Sequence, residues 1–329
     1  MLYAEDILSE RRFLQAAEEL TKKKPLIALK SGRSEAGMKA ISSHTGSLAG
    51  DDVAYTLAFK QTGGMRCASI ENLFSAANAL AKQPMINGKR VAIVTNAGGA
   101  GVITTDAIED HGLELADLSE QTKSALRDFL PAAAAVGNPV DVLGDACPDR
   151  YGFAVDKVLA DDSVDALIVI LTPQAMTDIA EVARVVGEHS KESNKPVMCC
   201  WMGDKEVRVA FPVLAEYGLP NYAYPENAVY ALQKMRSYAL NSQKPIKQWI
   251  LPTDRAQKRH PEVVKIIEQA KSHGRDCLNE YEARQVVEHY GVPISKSGLA
   301  GSADQAVQLA EGIGYPCVLK IVSPDILHK

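Results

Sequence analysis

Arg90-Val91-Ala92-Ile93-Val94-Thr95 is an apolar run of strand length. It leads directly into Asn96-Ala97-Gly98-Gly99-Ala100-Gly101 and then into a helical pattern over 102–111. A strand that is apolar on both faces must be covered on both faces, as strands of parallel sheets are. Parallel neighbours also need a crossover connection, usually a helix. The same alternation recurs downstream. Strands are expected at 166–171 and 196–200, and helices at 120–129, 150–159, 178–189, 205–217 and 226–238. The expected class is therefore α/β, with parallel sheets clothed by helices. Ligands of such sheets bind at the carboxyl ends of the strands. That makes Gly98, Gly99, Ala100 and Gly101 candidates to hold a phosphate or similar anion through backbone N–H groups. Their spacing is not the dinucleotide fingerprint and no P-loop lysine follows, so a plain tight βα turn is an equal reading. Gly137-Asn138-Pro139-Val140-Asp141 is a second turn-rich element, either facing the same edge or an ordinary loop.

The part before Arg90 carries less of this pattern. A helix is expected at 10–20, with Phe13, Leu14, Ala17 and Leu20 on one face, then a short strand at 26–30. Ser31-Gly32-Arg33-Ser34-Glu35-Ala36-Gly37 reads as a polar loop. Asp51 or Asp52 is a candidate cap for a helix reaching about 61, and another helix is expected at 72–82. Leu2-Tyr3 resembles the tail of a strand, so the chain is expected to begin inside a domain. After 240, Pro245 and Pro252 interrupt a polar stretch that suits a linker. Beyond it come expected helices at 261–273, from an Asn279-Glu280-Tyr281-Glu282 cap to Tyr290-Gly291, and at 302–313. Strands are expected at 294–299 and 317–322. The organisation expected is a partial α/β domain over 1–84, a complete one over 85–240, a linker over 241–260 and the start of a third domain over 261–329.

A length of 329 residues suits two or three domains, and an apolar fraction of 46% is ample for their cores. The net charge of −5 gives no electrostatic case for binding nucleic acid or an acidic membrane. No apolar run approaches a membrane span, and no signal-peptide core follows Met1. Six scattered cysteines lack a C-x-x-C pair. This argues against a zinc site or a disulfide framework, so no metal ligands are assigned, and it fits reduced, buried thiols in a cytoplasm. His111, His189, His260, His273 and His289 read as surface residues without partners.

The seventh histidine stands differently. Ser42-Ser43-His44-Thr45-Gly46-Ser47-Leu48-Ala49-Gly50 sets His44 among small and hydroxyl residues that leave room for an anion. An imidazole titrating near neutrality can act there as base or nucleophile. On composition alone the segment reads as well as an exposed glycine-rich turn.

Taken together, these segments resemble the ADP-forming (NDP-forming) acyl-CoA synthetases, relatives of succinyl-CoA synthetase. Lys30-Ser31-Gly32-Arg33-Ser34 and the His44 segment resemble that family's phosphohistidine loop. Tyr3-Ala4-Glu5-Asp6-Ile7 resembles the segment bearing the glutamate that supports the histidine. The stretch from Ile93 to Gly101, with Gly137 to Asp141, resembles the second flavodoxin-like domain. Tyr290-Gly291-Val292-Pro293, Gly314-Tyr315-Pro316, Leu319-Lys320 and Ser323-Pro324-Asp325-Ile326-Leu327-His328-Lys329 resemble the opening of an ATP-grasp domain.

The resemblance implies flavodoxin-like, succinyl-CoA synthetase-like parallel-sheet domains followed by the start of an ATP-grasp domain. It implies a reaction in which acyl-CoA, ADP and phosphate are interconverted with acid, ATP and CoA, through an acyl phosphate and a phosphohistidine. His44 would carry the phosphoryl group and Glu5 would bind its other ring nitrogen. Thr45, Gly46 and Gly98 to Gly101 would receive the phosphate at two helix N-termini. Lys320 would contact nucleotide phosphates, and His328 would be a second phosphate carrier. ATP/ADP with Mg2+, and CoA, are the implied cofactors, acyl-CoA, phosphate and ADP the substrates, and an oligomer in the cytoplasm the implied setting. No N-terminal CoA-binding domain is found and the ATP-grasp domain stops early, so the chain alone is expected to be inactive in the overall reaction. Two other readings stand beside this one. One is the synthetase-like core of a protein lysine acetyltransferase, and the other is a nucleotide- or CoA-binding module without catalysis.

Overall fold

The computed structural model describes residues 1–45, 52–244 and 260–323, with the backbone alone at 41–45. The chain divides into two compact units, Met1–Ile246 and Lys247–Lys329.

The first unit holds two parallel sheets. The smaller has the order β1-β2-β3, from Leu2–Ala4 (β1), Ile27–Lys30 (β2) and Met65–Cys67 (β3). Ala4 stands opposite Lys30, and Leu29 opposite Cys67. Around it lie Glu10–Thr21 (α1), Glu35–Thr45 (α2), Asp52–Gln61 (α3) and Ile70–Lys82 (α4). One face of this sheet meets α1 and α3 through Ala28, Tyr55, Phe59 and Phe13, and the other meets α4 through Ile27, Met65, Leu73 and Ala76.

The larger sheet is built on Arg90–Thr95 (β4), Ala166–Leu171 (β7) and Val197–Trp201 (β8), with Glu114–Leu115 (β5) and Val140–Asp141 (β6) as short partners of β4. Every residue of β7 and β8 is buried. Ala92, Val94, Leu167 and Val169 point to Pro148–Ala160 (α7) and Ile179–Lys191 (α8), among others. Val91, Ile93, Ile168 and Ile170 point to Gly98–Asp110 (α5) and Pro225–Ser242 (α11). The continuous apolar runs of the sequence are thus explained by two covered faces. Leu80 packs against both cores, because α4 packs along α11 and serves both sheets.

Several boundaries differ from expectation. α2 replaces the expected polar loop after Ser34, so Ser42 to Thr45 close a helix. α5 starts at Gly98, four residues before Val102, so the glycines form its first turn. The helix expected at 205–217 is broken into Asp204–Val207 (α9), a 3-10 turn at Arg208–Ala210 and Phe211–Glu216 (α10). Pro212 falls in the first turn of α10, where its missing N–H costs nothing. Glu120–Phe129 (α6) matches the expectation.

In the second unit, Pro261–Ser272 (α12), Glu280–His289 (α13) and Ala303–Ile313 (α14) form where capping signals place them. Asn279 and Glu282 complete a reciprocal capping box, and Gly291 takes a φ of 78 beyond the end of α13. The strands expected at 294–299 and 317–322 do not form, and no strand occurs among the described residues of this unit. A strand is completed only by a neighbour's N–H and C=O groups. Val318 and Leu319 are instead more than four-fifths exposed.

Two further expectations are corrected. Cys67, Cys199 and Cys200 are buried free thiols, but Cys147, Cys277 and Cys317 are exposed. The histidines on helices and beside them do have partners. His111 lies edge-on to Tyr230, His189 faces Asp156 at 3.6 Å, His260 stacks on His289, and His273 Nδ1 lies 2.7 Å from the Gln269 carbonyl. Among the described residues no helix is long and apolar enough to cross a membrane.

Candidate functional site

Both sheets bring chemistry to their carboxyl edges. At the larger sheet, β4 ends in Thr95 and is followed by Asn96, both buried. The Thr95 hydroxyl accepts from the Ala97 N–H at 3.0 Å and turns the chain into α5. Ala97 has no side chain able to cap, no acidic residue lies in the first turn, and the Gly101 N–H is bonded back to the Ala97 carbonyl at 3.1 Å. The N–H groups of Gly98, Gly99 and Ala100 come before that first helical bond, at the positive end of the helix dipole. Gly98 and Gly99 are exposed. A Cβ on Gly99 would meet nothing within 4 Å, so this surface is open. Gly101 has another role, since a Cβ there would stand 3.2 Å from Pro139. Absence of a side chain lets α5 pack on the 137–141 segment.

That segment does face the same edge. Asn138 lies beside β4 between β5 and β6, and its amide supplies the missing rungs. It accepts from Ile93 N–H at 3.0 Å and donates to the Val91 and Ala116 carbonyls at 2.9 Å each. Asp141 then pairs with Thr95, accepts from the Leu143 N–H at 2.9 Å, and sets its other carboxylate oxygen near Gly98. Leu143 takes a φ of 73, uncommon for a residue with a side chain. Asn96 clamps β4 to β7. Its Nδ2 donates to the Thr172 carbonyl at 2.8 Å and its Oδ1 accepts from the Thr172 N–H at 2.8 Å. Sequence reading passed over Asn96 because a polar residue after a strand is ordinary in a turn.

At the smaller sheet, Glu5 and Asp6 follow β1 and line a cleft of 520 Å³ with Leu2, Tyr3 and Phe13. The Tyr3 hydroxyl donates to Glu5 Oε1 at 3.2 Å and lies 3.3 Å from Ser31 Oγ. Glu5 is therefore brought to the Lys30-Ser31-Gly32-Arg33-Ser34 segment. Asp6 accepts from the Ile7 N–H at 2.8 Å and from the Tyr55 hydroxyl of α3. Of the two candidate caps of α3, Asp51 lies outside the described residues and Asp52 is the first helical residue. It lies within the helix and its carboxylate is held by Arg66 of β3. That guanidinium first of all holds the Asp52 carboxyl below the usual carboxylate range.

Lys30, unnoticed in the sequence beyond its place in a motif, is 1% exposed at the end of β2. Its ammonium donates to the Ser31 carbonyl and lies 4.5 Å from the centre of the Tyr55 ring. Burial pushes this amine below the usual lysine range, against the opposing pull of Asp52, Asp6 and Glu5. The sequence signal that could have found it is a lysine closing an otherwise apolar strand.

Of the other candidates, His44 and Thr45 lie in the last turn of α2, with only their backbone described. Gly46 and His328 lie outside the described residues, so the distance from the His44 side chain to Gly98 is not defined. Lys320 is exposed and paired with Glu280 of α13 at 3.0 Å.

The chain is similar to known proteins along its whole length. Family models match as a succinyl-CoA ligase-like flavodoxin domain at 1–80, a ligase-CoA domain at 91–243 and an ATP-grasp domain at 269–329. The ADP-forming acetate–CoA ligase I of Archaeoglobus fulgidus is 37% identical over 331 residues, covering all of this chain and 46% of the relative. The ADP-forming acetate–CoA ligase of Methanocaldococcus jannaschii is 40% identical over 336 residues, covering all of this chain and 47% of the relative. The chain thus spans about half the length of these curated relatives. A solved dinucleotide-forming acetyl-coenzyme A synthetase 1 of Ca. Korarchaeum cryptofilum, in complex with phosphate and ADP, superposes with a TM-score of 0.69 at 35% identity. It covers 73% of this chain and 53% of that one. Domain matches in the expected order, full-chain likeness to two ligases and a shared fold agree, and the chain belongs to the ADP-forming, succinyl-CoA synthetase-like family of acid–CoA ligases.

Proposed function

We propose that this chain is part of an ADP-forming acid–CoA ligase, interconverting acyl-CoA, ADP and phosphate with acid, ATP and CoA. Phosphate displaces CoA from the thioester and leaves an acyl phosphate. The His44 imidazole takes the phosphoryl group from the acyl phosphate and releases the acid, then passes it to ADP. Two easier transfers replace one difficult one. Glu5 accepts a hydrogen bond from the ring nitrogen that is not phosphorylated, which fixes the tautomer and favours the charge that develops. Thr45 and Gly46 on one side, and the N–H groups of Gly98, Gly99, Ala100 and Gly101 on the other, receive the phosphoryl oxygens. Lys320 and His328 belong to the nucleotide side of the reaction, Lys320 as a point charge for phosphates and His328 as a second carrier.

The observation that carries the reading is the start of α5, an uncapped helix terminus of exposed glycines at the carboxyl edge of the larger sheet. Asp141 faces this terminus with Oδ2 near Gly98, while its Oδ1 accepts from the Leu143 N–H. Mg2+ would accompany the nucleotide and neutralise phosphate charge there, needing few protein groups. The domain limits 1–84, 85–240, 241–260 and 261–329, an oligomeric assembly and a cytoplasmic setting belong to the same proposal. The relatives' names support the ligase and not the acetyltransferase reading. The test is ATP formation from acetyl-CoA, ADP and phosphate by the assembled enzyme that contains this chain. ATP and an acid-labile, base-stable phosphate on the protein are expected, both lost in His44→Ala. Formation of AMP alone, or labelling that persists in His44→Ala, overturns it.

A further inference from the structure

We propose that Asp141 is a specificity-determining residue of the α5 terminus. Its carboxylate accepts a hydrogen bond from the protonated oxygen of inorganic phosphate and turns away fully deprotonated anions such as sulfate. This rests on the reading of that terminus given above and deepens it.

A site for a bare anion needs donors and is weakened by a carboxylate beside them. The first turn of α5 holds no acid, and Gly98, Gly99 and Ala100 offer it backbone N–H groups. A carboxylate nevertheless reaches this turn from a neighbouring strand. Asp141 ends β6 and stands opposite Thr95, the last residue of β4, so it lies at the edge where α5 begins. Its Oδ2 is 3.3 Å from the place that a Cβ on Gly98 would take. The carboxylate is also held in that direction. The Asp141 N–H donates to the Ala135 carbonyl at 2.9 Å, and Oδ1 accepts from the Leu143 N–H at 2.9 Å. Leu143 keeps its φ of 73 to make that bond.

The polar groups around this loop have partners of their own. Arg150 reaches the Val142 carbonyl at 3.4 Å and pairs with Asp145 at 2.7 Å. The Tyr151 hydroxyl donates to the Ile170 carbonyl at 2.9 Å. Oδ2 of Asp141 accepts no hydrogen bond among the described residues. The edge thus presents a row of donors with one fixed acceptor beside them. That set fits an anion that itself carries a donor. Inorganic phosphate at neutral pH keeps a proton on one oxygen in much of its population, so its P–OH can face Oδ2 while the other oxygens face the N–H groups. Sulfate has the same shape and no proton, so it would set an oxygen against the carboxylate. A site that pairs with a substrate hydroxyl rejects an analogue lacking it far more strongly than size alone would allow. Facing like charges is a general means of excluding a wrong partner.

The test follows ATP formation from acetyl-CoA, ADP and phosphate at neutral pH by the assembled enzyme that contains this chain. In the wild type, sulfate and fluorophosphate, which carries fluorine in place of the hydroxyl, should inhibit with constants about 10-fold or more above the KM for phosphate. Asp141→Asn should raise that KM about 10-fold and tighten inhibition by sulfate, because its amide can donate to an oxyanion. The substitution keeps an oxygen for the Leu143 N–H, and thermal melts read folding separately. Asp149→Asn removes an exposed acid from the first turn of α7 and should move neither constant. Labelling of His44 from ATP should not fall in Asp141→Asn, since the bound phosphoryl group needs no acceptor. This inference alone is overturned by any of four results: fluorophosphate that competes as well as phosphate binds, Asp141→Asn that leaves the preference for phosphate over sulfate unchanged, Asp149→Asn that shifts it equally, or labelling that falls as far as phosphate binding does. A wild type that forms no ATP and carries no label on His44 overturns the reading of the terminus and this inference with it.

Discussion

At the carboxyl edge of the smaller sheet, Glu5 and Asp6 follow β1, Lys30 ends β2, and Arg66 and Asp52 form an ion pair. At the same edge of the larger sheet, β4 ends in Thr95 and Asn96 and hands over to a helix start made of glycines. One edge presents charged side chains and the other backbone N–H groups, although both are parallel sheets wrapped by helices. The strands also differ in length. β1, β2 and β3 have 3, 4 and 3 residues, whereas β4, β7 and β8 have 6, 6 and 5. The longer strands of the larger sheet are buried on both faces, and the shorter strands bury less.

The comparison can be broken in order of effect. If the larger sheet carries the stability, Ile168→Ala should cost about 2–5 kcal/mol in urea unfolding, as fully buried isoleucines do. Leu2→Ala, at a half-buried site on β1, should cost less than about 1.5 kcal/mol. Equal losses would abolish the distinction. Next, Asn96→Ala should cost about 1–3 kcal/mol, because the Thr172 N–H and C=O would lose their partners between β4 and β7. A neutral result would mean that water replaces the clamp. The smallest effect is the sharpest. Gly99→Ala adds a methyl into open space in a helical turn, so stability should rise by up to about 1 kcal/mol. If backbone N–H groups at this edge receive phosphate, labelling of His44 should fall in the same variant. A variant both more stable and equally active would return the glycines to the role of a tight turn.

How much of this was legible before the fold was known can be judged residue by residue. The runs 90–95 and 166–171 were readable as strands because burial on both faces leaves no polar alternation to confuse the pattern. Asn279 and Glu282 were readable because a capping box is made within four residues. The resemblance that named the family rests on such local segments. By contrast, the start of α5 was misjudged by four residues because glycine reads as a loop in any local scale. α2 was missed because Ser34 and Gly37 look like turn residues, while the hydroxyl of Ser34 accepts from the Gly37 N–H and supports a helix start.

By itself, then, the sequence determined the α/β class, the order of segments and the local helix caps, all of which depend on neighbours a few residues away. Tertiary structure alone decided that Lys30 is sealed beneath Tyr55, that Asn96 joins β4 to Thr172 across 76 residues of chain, and that Asn138 completes the ladder between β5 and β6. It also decided that 317–322, strand-like in composition, forms no strand among the described residues. The physical reason is common to all four. A charge, a clamp and a ladder are each finished by partners remote in sequence, and their free energies depend on solvent exclusion that no short window contains.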